Sequence, residues 1–335
     1  MQVFYSPAHM GHDPPFEFAR DAVYAYSESP RRALNLRRAL LGAGYAPEAP
    51  PPCDPRTLGA VHDPDYLHFL QHIYGAWTAA GRPASGVLPD TFALGPQRHR
   101  PADLLRQTGY YCFDAQTPIV RGTWDAALAA AACAQAGARA LRDGGRAAYA
   151  LCRPPGHHAA PALCGGSSFL NNAALAARAL PGRTAVLDID YHHGNGTQAV
   201  FYDEADTLFV SLHADPERAY PYYSGSAAET GGGEGEGANL NVPLPAGCDG
   251  PRYLDALDRA LERLAAFAPA HLVLSLGLDI YRLDPLGDFD LDLDDFARVG
   301  SRIAALGLPT LIVQEGGYNT DDGGQALLNL LAPFA

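Results

Sequence analysis

Thr184-Ala185-Val186-Leu187-Asp188-Ile189-Asp190-Tyr191-His192-His193-Gly194-Asn195-Gly196 is an apolar run that breaks off into carboxylates and imidazoles. Thr184–Leu187 reads as a strand buried on both faces, because it does not alternate with polar residues. Other apolar runs end in the same way. Ala147–Cys152 leads into Arg153-Pro154-Pro155-Gly156-His157-His158, and Leu208–Leu212 into His213-Ala214-Asp215. Leu272–Leu276 runs on to Asp279, and Thr310–Val313 to Glu315-Gly316-Gly317-Tyr318. Helical stretches separate these runs: Arg31–Leu41, Trp124–Arg142, Asn171–Leu180, Pro251–Phe267, Asp294–Leu306 and Gly324–Leu331. With a further strand at Val3–Tyr5, the alternation predicts an α/β fold, a predominantly parallel sheet with helices on both faces. Ligands bind beyond the carboxyl ends of such strands. The five polar clusters are therefore expected to converge on one site.

The rest of the composition narrows the function. A chain of 335 residues suffices for one large α/β domain, and no linker divides it. The net charge of −13 disfavours a nucleic-acid partner and favours the approach of cations. All 24 basic residues are arginine. No apolar run is long enough to span a membrane, and no basic-then-apolar start marks a secretory signal, so a cytoplasmic location is expected. The six scattered cysteines read as reduced, packed thiols. Gly81–Gln107 is rich in Pro, Gly and Arg without a period, and a loop of that length is more often functional than filler.

If the strand stays extended past Leu187, Asp188, Asp190 and His192 share one face, since side chains alternate with period two. Asp190 and His192, joined by Asp279 from a neighbouring strand, make three ligands for a divalent ion. Three protein ligands with an open position describe a catalytic site. A lone aspartate more often caps a loop or helix; the dense Asp-x-Asp-x-His-His-Gly string is what favours the metal. Two carboxylates acidify a bound water less than three neutral imidazoles would, so an added base is needed. His157-His158, held by a stiff Pro-Pro-Gly turn, supply it. Tyr318 is placed to donate a hydrogen bond to a developing oxyanion.

These motifs resemble those of the arginase–deacetylase superfamily, and among its members the histone deacetylases and acetylpolyamine amidohydrolases. The resemblance runs in order from about Val3 to the C-terminus, and Asn195 stands where class I deacetylases carry aspartate. It implies the arginase–deacetylase fold as a single catalytic domain over residues 1–335, with a loop insertion at about 81–107. It implies a zinc-dependent hydrolase that removes acetyl or other acyl groups from amines, most simply acetylpolyamines. A class II protein lysine deacylase is the alternative, and a non-catalytic acyl-amine-binding protein a remote one. Zinc is implied at Asp190, His192 and Asp279, with Fe2+ or Co2+ as substitutes. The resemblance also implies proton transfer by His157 and His158, oriented by Asp188 and Asn195 respectively, with Tyr318 polarising the carbonyl. Structural potassium is implied at Asp188, Asp190, His192, Ser211 and Leu212, Arg32 near an inner cavity, and a homodimer built by the insertion. The channel differs from the family's. Ser167 replaces an aromatic wall after Gly165-Gly166, which predicts an open channel with Tyr220 as the remaining wall. Gln116 stands for an acidic residue, with Asp114 two residues earlier, and Leu286 takes the gatekeeper position.

Overall fold

The computed structural model describes residues 1–19, 22–95 and 98–335. Its strands are β1 (Gln2–Phe4), β2 (Glu17–Ala19), β3 (Ala22–Tyr24), β4 (Ala147–Ala150), β5 (Thr184–Asp188), β6 (Thr207–Ala214), β7 (Asn239–Leu244), β8 (His271–Leu276) and β9 (Thr310–Gln314). Its helices are α1 (Pro30–Gly42), α2 (Pro64–Ala79), α3 (Thr108–Tyr111), α4 (Thr123–Arg142), α5 (Asn172–Ala179), α6 (Asn195–Phe201), α7 (Gly250–Phe267), α8 (Leu293–Ala304) and α9 (Gly323–Leu331).

Seven strands form one sheet in the order β1-β4-β9-β8-β5-β6-β7, and every neighbouring pair is parallel. The period-two geometry of each strand sorts its side chains into two cores. Leu187, Leu274 and Ile312 face one, with α1, α7, α8 and α9 over them. Val186, Val273 and Val313 face the other, beneath α2, α4 and α5. Helices thus cover both faces, as the apolar runs predicted.

Several elements go beyond the expected set. Strand β7 reads Asn-Leu-Asn-Val-Pro-Leu, poor in β-formers, and it persists because it lies at the sheet edge, where Pro243 costs no ladder bond to a further neighbour. Helix α2 carries a legible apolar stripe, Tyr66, Phe69, Leu70, Ile73 and Trp77, after a proline in its first turn. Strands β2 and β3 form a separate antiparallel ribbon. The start of the 81–107 segment is tied down by paired hydrogen bonds between Val87 and Ile119; Pro96 and Gln97 lie outside the described residues.

The sheet register aligns the functional strand ends. Asp188 is paired with Ser211 on β6 and Ser275 on β8, and Leu276 with Gln314 on β9. The segments that follow these residues therefore emerge side by side.

Candidate active site

Strand β5 ends at Asp188, so Asp190 and His192 do not lie on an extended strand as expected. A series of side-chain-capped turns carries them instead. The Asp188 carboxylate accepts the Asp190 N–H at 3.0 Å, and the Asp190 carboxylate accepts the His192 N–H at 2.9 Å. These turns keep the alternate residues on one side, and the three expected ligands meet. Asp190, His192 and Asp279 each offer a donor atom, all within 4.8 Å of one another. His192 Nδ1 lies 3.3 Å from Asp190 Oδ1 and 3.2 Å from Asp279 Oδ2. The outward oxygens are held by the backbone: Gly316 N–H donates to Asp190 and Tyr191 N–H to Asp279. Glycine is required at 316, since a Cβ there would lie 2.4 Å from a carboxylate oxygen of both aspartates.

Two fully buried carboxylates this close are electrostatically unfavourable without a cation. Burial, and then the charge of Asp190, push Asp279 up to about 7. The donor set of two carboxylates and one imidazole thus fits a divalent transition ion.

The paired histidines stand beside this centre with ring centroids 4.0 Å apart. His157 Nδ1 meets Asp188 Oδ2 at 3.0 Å, and His158 Nδ1 meets Asn195 Oδ1 at 2.7 Å. Burial pushes the His157 imidazole down, but the charges of Asp190 and Asp188 outweigh it and raise it to about 10. His158 is pushed well below the ordinary range by burial and by its neighbours His157 and His192. The two rings are therefore shifted in opposite directions, His157 up and His158 down. Glu315 secures their turn: its buried carboxylate accepts the N–H groups of Gly156 and His157 and the Ser275 hydroxyl.

A cavity of about 870 Å³ opens onto His158, His192 and Tyr318. The Tyr318 ring rests on the Arg32 guanidinium, 4.6 Å from its centroid. Arg32 is fixed in turn by Glu28 and by the carbonyls of Glu315 and Gly317. Ser167, Tyr220, Leu286 and Gln116 all line the same cavity, as expected.

The sequence pattern of the histone deacetylase domain matches residues 26–333. The chain belongs to the histone deacetylase family. It is similar to acetylpolyamine amidohydrolase 1 of Pseudomonas aeruginosa, at 43% identity over 100% of this chain and 99% of that protein. It is 40% identical to the acetylpolyamine amidohydrolase of Mycoplana ramosa, over 100% of both chains. The crystal structure of acetylpolyamine aminohydrolase from Burkholderia pseudomallei superposes with a TM-score of 0.96 at 40% identity, covering 100% of this chain and 98% of that one. The fold is thus the arginase–deacetylase fold, and the protein is a hydrolytic deacetylase of a metal-dependent family.

One expected participant does not reach this deacetylase's centre. His213 turns away, bonding to Ser211 and the Gly225 carbonyl, and its ring lies against His193, 4.5 Å between centroids. Tyr220 stacks against Phe113, 6.2 Å away at 19°, and Phe113 is not among the residues that line the cavity. Gly165 makes room for it: a Cβ there would sit 2.2 Å from Phe113 ring atoms. The Asp114 carboxylate ties Tyr220 to the turn that carries Ser167, accepting the Tyr220 hydroxyl at 2.7 Å and the Gly166 N–H at 2.6 Å. Ser167 itself is 7% exposed, in the left-handed region at φ 60°. A large side chain there meets backbone strain of roughly 1–3 kcal/mol. Ser167→Phe is thus expected to lower kcat/KM for slender and bulky acyl-amines alike. Improvement confined to slender substrates would show that the space beside Ser167 is open.

Sequence reading missed Glu17 and Asp284. Glu17 comes to the cavity on the β2–β3 ribbon, which no apolar pattern announced. Asp284 clamps the tyrosine loop, accepting the N–H groups of Tyr318 at 2.6 Å, Asn319 at 3.0 Å and Leu286 at 3.0 Å. An Asp-Pro pair alone does not reveal a carboxylate that folds onto a loop more than thirty residues away. Asp284→Ala should lower kcat by ~10-fold with a smaller change in KM, since it loosens a loop and leaves the cavity lining in place. Asp284→Asn, which keeps an acceptor, should recover most of the loss; equal damage by both would remove this positioning role.

Proposed function

We propose that this deacetylase hydrolyses the amide of small acetylated amines, acetylpolyamines foremost, with Asp190, His192 and Asp279 holding a zinc ion. The full-length similarity to acetylpolyamine amidohydrolases carries this reading. The carboxylates of Glu17 and Asp288 line the cavity and offer counter-charge to an ammonium group, a task the neutral Gln116 cannot perform. The net charge of −13 draws cationic substrates to the surface.

When bound, a zinc ion supplies Lewis-acid polarisation of the amide carbonyl and acidifies water beside it. The chain's own groups do the rest. His158, neutral and facing the cavity, takes the proton of the attacking water and returns it to the departing amine nitrogen. His157, its basicity raised by the charges of Asp190 and Asp188, stabilises the negative charge that develops. The Tyr318 hydroxyl donates to the carbonyl oxygen as it becomes an oxyanion. Asp188 and Asn195 hold the two rings in place through Nδ1.

Potassium at Asp188, Asp190, His192, Ser211 and Leu212 belongs to the same proposal, as do the insertion at 81–107 and the homodimer it builds. The register that pairs Asp188 with Ser211 supports the potassium assignment. No helix among the described residues is long and apolar enough to cross a membrane. The test is steady-state kinetics on acetylputrescine, acetylspermidine, acetyl-lysine peptides and longer acyl-amines, with metal content measured on the same sample. The polyamine reading expects the highest kcat/KM on an acetylated di- or triamine; preference for acetyl-lysine peptides would replace it with the protein-deacylase reading.

A further inference from the structure

Helix α2 presents Asp65-Tyr66-Leu67-His68-Phe69-Leu70-Gln71-His72, and contributes nothing to the lining of the active-site cavity. Of the chain's twelve histidines, only His68, His72 and His99 are exposed among the described residues. His68 and His72 stand one turn apart on the outer face of this helix. Their ring centroids are 4.5 Å apart and the rings are tilted by 54°. We propose that His68 and His72 form a second, surface site for a divalent transition ion of the zinc, nickel or copper class.

The physical case begins with the helix. Histidines at i and i+4 have Cβ atoms roughly 5–6 Å apart on one face, a span that two imidazole nitrogens close around a single ion. The opposite face of α2 is locked into the core, with Tyr66, Phe69 and Ile73 at 0% exposure and Leu70 at 1%. The backbone beneath the pair is thereby rigid. An ion need only select side-chain rotamers, a small ordering cost compared with folding a loop around it. Asp65, one turn earlier, is engaged by Arg100 at 3.2 Å, so the site is a two-imidazole clamp completed by water. Nitrogen donors select borderline transition ions over magnesium and calcium, which take oxygen ligands. Two neutral ligands on an exposed surface hold an ion more weakly than the buried Asp190, His192 and Asp279, which bring two negative charges. The surface site therefore fills second.

The experiment uses the full-length, untagged protein carrying one equivalent of zinc at the buried triad. It is titrated calorimetrically with nickel chloride at mildly alkaline pH, and its zinc content is followed on the same sample. The wild type should take up one further equivalent of nickel while retaining its zinc, and magnesium chloride should give no binding. His68→Ala and His72→Ala should each weaken nickel binding at least ~10-fold, the lower end of what losing even an outer-sphere partner of a metal costs. The double variant should lose it, and Gln71→Ala should bind like wild type. Both histidines are exposed and outside the cavity, so deacetylase turnover should be unchanged in every variant. Absence of nickel uptake by the zinc-loaded wild type, or undiminished uptake by the double variant, overturns the proposal. Neither outcome bears on the buried zinc site or on the substrate.

Discussion

Asp190→Ala, His192→Ala and Asp279→Ala should each lose the tightly held metal and at least ~10³-fold of turnover, the equivalent of ~4 kcal/mol of barrier. The three residues supply the one group of convergent ligands among the described residues, so no fourth side chain stands ready to replace them. Their structural costs should differ. Asp190 accepts the N–H groups of His192 and Gly316, so its truncation orphans two buried donors and should lower Tm most. His192 accepts no backbone donor, so His192→Ala should lose metal with the smallest loss of stability. Asp279 is the instructive case. Burial and the neighbouring Asp190 raise it to about 7, above its unfolded value of 3.8. Its carboxylate thus contributes most to the stability of chelator-treated protein at acid pH, and that contribution is lost as pH rises through about 7. Asp279→Asn removes that charge while keeping an acceptor for Tyr191 N–H. It should therefore melt higher than metal-free wild type at mildly alkaline pH, yet be inactive. Mass-spectrometric metal content, calorimetric Tm and kinetics on one preparation check these statements together. Full zinc occupancy in any one variant would remove that residue from the ligand set.

Tyr318→Phe should lower kcat by about 10²–10³-fold, or ~2.7–4 kcal/mol, and leave KM within a small factor of wild type. The tyrosine lines the cavity, and its hydroxyl makes no hydrogen bond to a protein group among the described residues. Burial pushes that hydroxyl well above the usual phenol range, so it stays protonated and donates. Phenylalanine keeps the ring over Arg32 and should preserve Tm. What it lacks is the donor to an oxygen whose charge grows only as the reaction proceeds, which is why the effect falls on kcat. A kcat within twofold of wild type would limit the hydroxyl to under ~0.5 kcal/mol of barrier and would remove its assigned role.

Much of this protein was legible in one dimension because the information was local. Apolar runs such as Val186-Leu187 and Leu311-Ile312-Val313 announced buried parallel strands, and their abrupt polar endings announced where a site must form. The spacing of Asp188, Asp190 and His192 was read correctly, although the carrier was not an extended strand. Carboxylate-capped turns carry the three residues past the end of β5, and such turns preserve the side on which alternate residues lie. The edge strand β7 was missed because its stability comes from pairing with β6, which composition does not record.

The sequence by itself determined the family and the candidates for its chemistry, since the proposed ligands, histidines and tyrosine each sit in a short motif whose geometry follows from its own strand or turn. The tertiary structure decided what depends on approach between distant segments. Phe113 stacks on Tyr220, Asp114 ties Tyr220 to the Gly166 backbone, Glu17 arrives on a ribbon, and Asp284 holds the tyrosine loop. The same holds for the charge difference between His157 and His158, which adjacent identical side chains cannot reveal. It arises because the charges of Asp190 and Asp188 raise one ring while burial and the neighbouring imidazoles lower the other, and electrostatics acts through distances that only folding creates.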